Sequence, residues 1–69
     1  MDKKPEALLR ILDVQARTGI SRSQLFELIR RGEFPKPIPL VGRTRAWVDS
    51  EVSAWIASRI DAARTGGAR

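Results

Sequence analysis

Hydroxyl, amide, carboxylate and guanidinium side chains are concentrated between residues 21 and 31 of the chain. Their spacing places them on one side of a helix, because successive residues of an α-helix are rotated by about 100°. Side chains of these types form hydrogen bonds with phosphate oxygens and with the edges of bases. This predicted polar face therefore suits a negatively charged partner, and its members are Ser23, Gln24, Glu27, Arg30 and Arg31. The same pattern also fits the solvated side of an ordinary surface helix.

The helix that carries this face has a defined start and a defined end. Ser21 and Gln24 have the spacing of a capping box, which starts the helix at Arg22. Gly32 can adopt the left-handed conformation that ends a helix, and Pro35 prevents its resumption. We predict a helix over residues 22–31, with an opposite, core-facing side made of Leu25, Phe26, Leu28 and Ile29.

Position along this helix separates its polar residues by role. The first turns of a helix that lies in a DNA groove are nearest the base edges. We therefore assign contacts with base edges to Arg22, Ser23 and Gln24. Arg30 and Arg31 are nearer the other end and suit phosphates, although they also complement the helix dipole. Glu27 can accept a hydrogen bond from a cytosine amine or pair with Arg31 four residues later. We favour the intrahelical pair.

A short helix and a tight turn precede this segment. Asp13 is a good N-cap, so we predict a first helix from Val14 to Thr18 that ends at Gly19. Only residues 19–21 then separate the two helices, which is the connection length of a helix-turn-helix. Residues 8–12 are apolar and are predicted to form a short strand or extended lead-in.

Two β-prone pieces, residues 38–41 and 44–48, follow the polar helix, with Gly42 and Arg43 as a turn between them. Pro39 suits only an edge strand. The predicted hairpin tip contains Arg43, Thr44 and Arg45, which can reach a phosphate backbone or a minor groove, or can serve as charges that block strand pairing. Lys36, before the hairpin, is a further candidate for a phosphate contact.

A longer helix closes the predicted fold. Asp49 is the expected N-cap of a helix from Ser50 to about Ala63, beyond which Thr65, Gly66 and Gly67 are not expected to hold a helix. One face of this helix is apolar, with Val52, Trp55, Ile56 and Ile60. We place Trp55, and Trp47 of the hairpin, in the core rather than against bases, with the Arg59 stem covering the core edge. The order of elements is that of a mostly α-helical winged helix-turn-helix with a small β-hairpin.

Composition limits the chain to one small domain without covalent or metal crosslinks. It has 69 residues and contains neither Cys nor His, which excludes disulfides and removes the usual ligands of zinc and haem. Thirteen basic and eight acidic residues give a net charge of +5 and a pI near 11.1. This charge is typical of nucleic-acid binders, although many small basic domains bind none. The eight carboxylates form no close pair within an apolar pattern, and the sequence has no Cys or His nucleophile or base and no phosphate-cradling glycine loop. We therefore expect a protein that is not an enzyme and that binds no metal or cofactor.

From its apolar runs and its first residues, we expect neither a membrane span nor a signal peptide in this sequence. No apolar run approaches the roughly 20 residues of a membrane span, and the N-terminal residues have no signal-peptide pattern. We expect a cytoplasmic protein with a flexible arm over residues 1–7, one domain over residues 8–63 and a flexible tail over residues 64–69. Because the sequence has no heptad seam, we expect a monomer that assembles only on repeated sites.

Three short motifs occur in order along the chain: Thr-Gly-Ile-Ser at 18–21, Gly-Glu-Phe-Pro at 32–35 and Glu-Val-Ser-Ala-Trp-Ile at 51–56. With their surroundings, over about residues 8–60, they resemble the AlpA family of small prophage regulators and, more distantly, MerR-type winged helices and phage excisionases. The resemblance implies that the turn serine and the next residues open a recognition helix and that a Gly-Arg hairpin forms a wing. These correspond to Ser21, Arg22, Ser23 and Gln24, and to Gly42, Arg43 and Arg45.

Three functions agree with these features. The first is a sequence-specific regulator of transcription that binds double-stranded DNA, with RNA polymerase as a protein partner. The second is an excisionase that bends attachment-site DNA beside an integrase, and it uses the same residues, because a shared fold does not determine the function. The third is an adaptor whose basic helix binds an acidic protein. We favour the first.

Overall fold

Three helices and a three-stranded antiparallel sheet form the part of the chain that the computed structural model describes, residues 6–66. In chain order the elements are β1 (Leu8–Leu9), α1 (Ile11–Thr18), α2 (Arg22–Arg30), β2 (Ile38–Val41), β3 (Thr44–Val48) and α3 (Asp49–Asp61). A π-helical segment, Ala62–Gly66, follows α3. The prediction of a mostly helical fold with a small β-hairpin, compatible with a winged helix-turn-helix, is confirmed. Residues 1–5 and 67–69, which belong to the predicted arm and tail, lie outside the described residues.

The first helix begins three residues earlier than predicted. Its N-cap is Arg10, and Asp13 occupies the third helical position. The Asp13 carboxylate accepts a hydrogen bond from the Arg10 backbone N–H at 3.1 Å. Asp13 therefore satisfies the free donor at the helix start by reaching back, rather than by standing before the helix. The prediction of Asp13 as the N-cap was wrong for this reason.

The turn between α1 and α2 has the predicted three residues. Gly19 adopts a φ of 74°, in the left-handed region that residues with a Cβ rarely adopt. Its N–H donates to the Gln15 carbonyl at 2.7 Å, which closes the last turn of α1. Ile20 is partly buried and packs against the core. The turn is thus fixed on one side by a glycine conformation and on the other by an apolar contact.

The start of α2 is as predicted, and its end lies one residue before the predicted Arg31, which is the C-cap. Ser21 is the N-cap, and the helix begins at Arg22. At the other end Gly32 has a φ of 75°, the Gly32 N–H donates to Ile29 at 3.0 Å, and the Glu33 N–H donates to Leu28 at 2.8 Å. These two bonds form a Schellman motif, which satisfies carbonyls that the helix leaves without partners.

The hairpin has the predicted strand bounds but belongs to a larger sheet. The strand order is β1-β3-β2, so β3 is central and β2, which contains Pro39, is an edge. Leu8 pairs with Val48 and Leu9 with Trp47, in antiparallel register. The expected lead-in is therefore the third strand. The ladder between β2 and β3 is irregular between Pro39 and Val41.

The last helix starts one residue earlier than predicted, because Asp49 lies inside it. Val48 is the N-cap and makes no side-chain capping bond. The Asp49 carboxylate instead accepts a hydrogen bond from the Arg17 guanidinium at 2.6 Å, and Arg17 also donates to Ser53 at 2.8 Å. Arg17 therefore ties the end of α1 to the start of α3.

The helical backbone after α3 continues as π-helical turns to Gly66, past the predicted end near Ala63.

The core lies between the three helices and the central strand. Its buried members are Val14, Leu25, Phe34, Trp47 and Val52. The Trp47 indole N–H donates to the Pro35 carbonyl at 3.0 Å, and the Trp55 indole N–H donates to the Glu33 carbonyl at 2.8 Å. Both tryptophans pack as predicted, although Trp55 is only partly buried. Their N–H groups attach the loop after α2 to the sheet and to α3.

We predict that Leu25→Ala strongly destabilises the fold, because Leu25 has no exposed surface. A buried leucine truncated to alanine costs about 2–5 kcal/mol of the free energy of unfolding, from lost burial and a residual cavity. Urea denaturation followed by circular dichroism measures this change. The matched control is Leu12→Ala, because the Leu12 side chain is 75% exposed and should shift stability by less than about 0.5 kcal/mol. Equal losses in the two variants would contradict the placement of the core.

Candidate nucleic-acid interface

The start of α2 is held by reciprocal bonds between Ser21 and Gln24. The Ser21 hydroxyl oxygen accepts from the Gln24 backbone N–H at 3.2 Å, and the Gln24 side-chain oxygen accepts from the Ser21 backbone N–H at 3.4 Å. The Ser21 hydroxyl also lies 3.2 Å from that side-chain oxygen. Both residues are exposed candidates for base contacts. The capping box engages the oxygen of Gln24 and leaves its NH₂ group as the donor for a partner.

Arg22 and Phe26 lie together on the side of α2 that faces the hairpin. The guanidinium carbon of Arg22 is 5.5 Å from the centroid of the Phe26 ring, within the range of a cation–π contact. The Phe26 ring is 6.3 Å from the Trp47 ring of β3, at an interplanar angle of 60°. Phe26 is 41% exposed, so the prediction that it faces the core is only partly right. This row of contacts places α2 beside the central strand.

Charge pairs on the outer side of α2 differ from those expected. Glu27 pairs with Arg30, three residues later, and not with Arg31. Arg31 instead lies 3.8 Å from the Glu33 carboxylate, beyond the end of the helix. The Schellman turn brings Glu33 back toward the last helical turn, which the helical spacing alone does not reveal. Ser23, also on this side, is exposed to solvent.

The hairpin presents its own basic residues to solvent. Arg43 lies in the turn, and Arg45 lies opposite Pro39 in the ladder. Arg45 and Trp47 point to the same face of β3, because side chains alternate along a strand. Thr44, the first residue of β3, is partly buried, and Lys36 is exposed in the loop before β2. The candidate residues of the hairpin and of the loop before it thus include three exposed basic side chains, and the observed link between this hairpin and α2 is the contact of Phe26 with Trp47.

The positive charge of the protein is concentrated in this region. Residues 22–48 contain six basic and two acidic residues, a net charge of +4 out of the total of +5. No polar or charged side chain is buried among the described residues. The charges thus act at the surface, where they attract anions over distances of about one Debye length.

A cleft of about 650 Å³ separates the outer side of α2 from α3. The guanidinium carbon of Arg59 is 5.6 Å from the Trp55 ring centroid at this cleft, while the placement of its stem over the core edge stays a prediction. The lining residues are Ile20, Ser23, Gln24, Glu27, Leu28, Arg31, Glu33, Trp55 and Arg59.

Residues 6–66 contain neither a cluster of metal-ligating side chains nor a membrane-spanning helix. No group of three or more acidic side chains is arranged to hold a metal ion. No helix in this part of the chain is long and apolar enough to cross a membrane.

Comparison with known proteins identifies the family. A family model described as prophage CP4-57 regulatory protein (AlpA) matches residues 7–60, which include every helix and strand from β1 to nearly the end of α3. The chain belongs to the AlpA family. It is also similar to a protein of Enterobacteria phage P4 described as uncharacterized protein ORF88. The two are 46% identical over 65 residues, which are 94% of this chain and 74% of the phage protein. AlpA is a phage regulatory family, in agreement with the sequence-based assignment.

The contact between Arg22 and the partly exposed Phe26 ring is a surface feature of this AlpA-family chain that was not predicted from the sequence. Arg22 is four residues before Phe26, the spacing at which helical side chains contact each other, so the pair was detectable from spacing. The exposure of Phe26 was not, because it depends on where β3 lies relative to α2. The contact between Arg17 and Asp49 joins residues 32 apart and carries no local signal.

We predict that Ser21→Ala lowers the free energy of unfolding by about 1 kcal/mol, because the Gln24 N–H loses its partner. The control is Ser23→Ala, which removes an exposed hydroxyl inside the same first turn and should change stability by less than about 0.5 kcal/mol. Urea denaturation gives the two values, and amide exchange at Gln24 locates the effect. A Ser23 variant as destabilised as the Ser21 variant would contradict the capping role.

Proposed function

We propose that this AlpA-family chain regulates transcription by binding double-stranded DNA sequence-specifically. In this proposal α2 enters the major groove, and the β2–β3 hairpin is a wing that contacts the phosphate backbone or the minor groove. The observation that carries the proposal is the contact of Phe26 with Trp47 at 6.3 Å. This contact joins α2 to β3 of the hairpin, which supports a binding mode in which one duplex engages both elements.

The dimensions of α2 suit a major groove. Nine residues give a helix of roughly 14 Å, and a helix with its side chains fits a groove about 12 Å wide. The first turn contributes Arg22, Ser23 and Gln24 to base edges. Arg22 has the fork geometry that matches O6 and N7 of guanine, and the NH₂ of Gln24 can donate to adenine N7. Ser21 acts chiefly by holding the helix start.

Arg30 and Arg31 are assigned to phosphates. Their present partners are the carboxylates of Glu27 and Glu33, and the side chains of both arginines are more than half exposed. Ion pairs this exposed contribute at most about 1 kcal/mol. DNA phosphates can therefore replace these carboxylates at low cost. In this scheme Glu27 orients Arg30 and does not read cytosine.

The wing contributes Arg43 and Arg45, with Thr44 beside them. All three lie at or next to the hairpin turn, where side chains reach a phosphate strand or insert into a narrow minor groove. Lys36 adds a backbone contact from the preceding loop. These contacts supply affinity rather than sequence preference.

We further propose that residues 8–63 are the DNA-binding unit and that the chain is a monomer until repeated sites assemble several copies. RNA polymerase is then the protein partner through which a bound copy acts. Sedimentation of the free protein tests this, and a tight dimer would overturn it.

Binding should be measured as the affinity of the protein for DNA from the neighbourhood of its own gene, at several salt concentrations. We expect a steep fall with salt, because each neutralised phosphate contributes a slope of about 0.9 in log–log form. Arg43→Ala should weaken binding to all sequences and reduce the slope by about one. Arg22→Ala should instead lose about 1–3 kcal/mol of discrimination at one base pair. Equal effects of the two variants would contradict this division.

The control for Arg43→Ala is Arg64→Ala, which removes the same charge from the exposed π-helical segment outside α2 and the hairpin. It should leave the slope unchanged. Absence of binding at low salt, with capture of an acidic protein that duplex DNA does not compete away, would establish the adaptor function instead. If gene deletion abolishes excision but not promoter activity, and the bound DNA is bent, the excisionase function replaces transcription regulation.

A further inference from the structure

Phe26 is an apolar group in a place that folding alone does not explain. Among the described residues, the large hydrophobic side chains with substantial exposure are Leu8, Leu12, Phe26, Ile38, Leu40, Val41 and Ile60. Phe26 is the aromatic one of this set and the one that lies on α2. The other apolar residues of that helix, Leu25, Leu28 and Ile29, are buried or partly buried in the core.

The position of the Phe26 ring is fixed from two sides. Trp47, which is 2% exposed, lies 6.3 Å away on the hairpin side. The Arg22 guanidinium lies 5.5 Å from the ring centroid, one helical turn earlier. An aromatic side chain has only two side-chain torsions and loses little entropy when it binds. The exposed part of the ring is therefore a preorganised apolar surface.

The chemistry of the major groove offers one apolar group for such a surface. Thymine carries a 5-methyl group there, whereas cytosine presents a hydrogen and an amine at that edge, and side chains such as phenylalanine contact the methyl directly. Arg22 has five N–H donors, and contact with the ring keeps the guanidinium near Phe26. The pair can thus contact a base acceptor and a neighbouring methyl group together.

We propose that Phe26 reads a thymine 5-methyl group next to the base that Arg22 contacts. This inference rests on the proposed DNA-binding function and adds a specificity residue to it. It gives the exposed ring a role in discrimination, whereas Trp47 behind it supports the ring and lies away from the DNA.

The test uses DNA that differs only in methyl groups. Sites are first selected from random duplexes with the full-length protein, and each thymine is then replaced singly by deoxyuridine, which pairs identically but lacks the methyl. Binding should weaken about fourfold at the position that Phe26 contacts, the effect of leaving one group of CH₂ size unburied. The same replacement should change the affinity of Phe26→Ala by less than twofold at that position.

Controls separate a reading role from a structural one. Ile60→Ala truncates a side chain of similar exposure, 46% against 41%, on α3, and should retain the fourfold dependence on the methyl. Phe26→Leu keeps an apolar contact with Trp47 and should bind with a reduced methyl dependence if Phe26→Ala proves unstable. A fourfold loss on deoxyuridine that is unchanged in both Phe26 variants would overturn the proposal.

Photocrosslinking gives a second readout on the unaltered protein. Iododeoxyuridine at the methyl-dependent position places iodine where the methyl stood, and mass spectrometry of the crosslinked peptide should identify Phe26. Crosslinking to a different residue, or binding that no single methyl affects, would refute the reading role while leaving DNA binding intact. Failure of the unaltered protein to select any duplex at low salt would instead refute the proposed function and this inference with it.

Discussion

The burial of Trp47 is the interaction on which the rest of the structure depends. Its backbone lies in the central strand and pairs with Leu9 of β1, and its indole N–H holds the loop after α2 through the Pro35 carbonyl. Its side chain packs in the core, and its ring contacts Phe26 of α2. One residue therefore fixes the third strand, the loop and the helix relative to the hairpin. In a chain of 69 residues, where few buried groups supply the stability, this makes the position of the hairpin beside α2 a property of the core.

Because the core fixes the position of the hairpin beside α2, the surface residues of both elements can be charged. The capping box and the Schellman motif satisfy the free backbone groups at both ends of α2 without any buried polar side chain. Exposed arginine side chains then project from α2 and the hairpin. The carboxylates of Glu27 and Glu33 hold Arg30 and Arg31 only weakly. This exposure supports the proposal that DNA phosphates can replace the carboxylate partners of Arg30 and Arg31.

The sequence predicted those elements whose determinants are local. Ser21, Gln24 and Gly32 define α2 within a span of a dozen residues, and Gly42 with its β-prone neighbours defines the hairpin. The errors occur where a residue has two local options that distant contacts decide. Asp13 and Asp49 both resemble N-caps, yet Asp13 reaches back to Arg10 and Asp49 binds Arg17 from another helix. Phe26 likewise fits a helical core face until the position of β3 leaves part of its ring exposed. The candidate DNA contacts followed from residue type and helical spacing, but the pairing of Arg30 with Glu27 required the structure.

We propose that α2 of this AlpA-family protein lies in the major groove of DNA when the protein is bound. Dimethyl sulfate footprinting tests it most directly, because the reagent methylates N7 of guanine in the major groove and N3 of adenine in the minor groove. We expect the protein to protect guanine N7 within its selected site, and Arg22→Ala to lose protection at one guanine while the others stay protected. Protection confined to adenine N3, with every guanine N7 accessible in the bound complex, would contradict it.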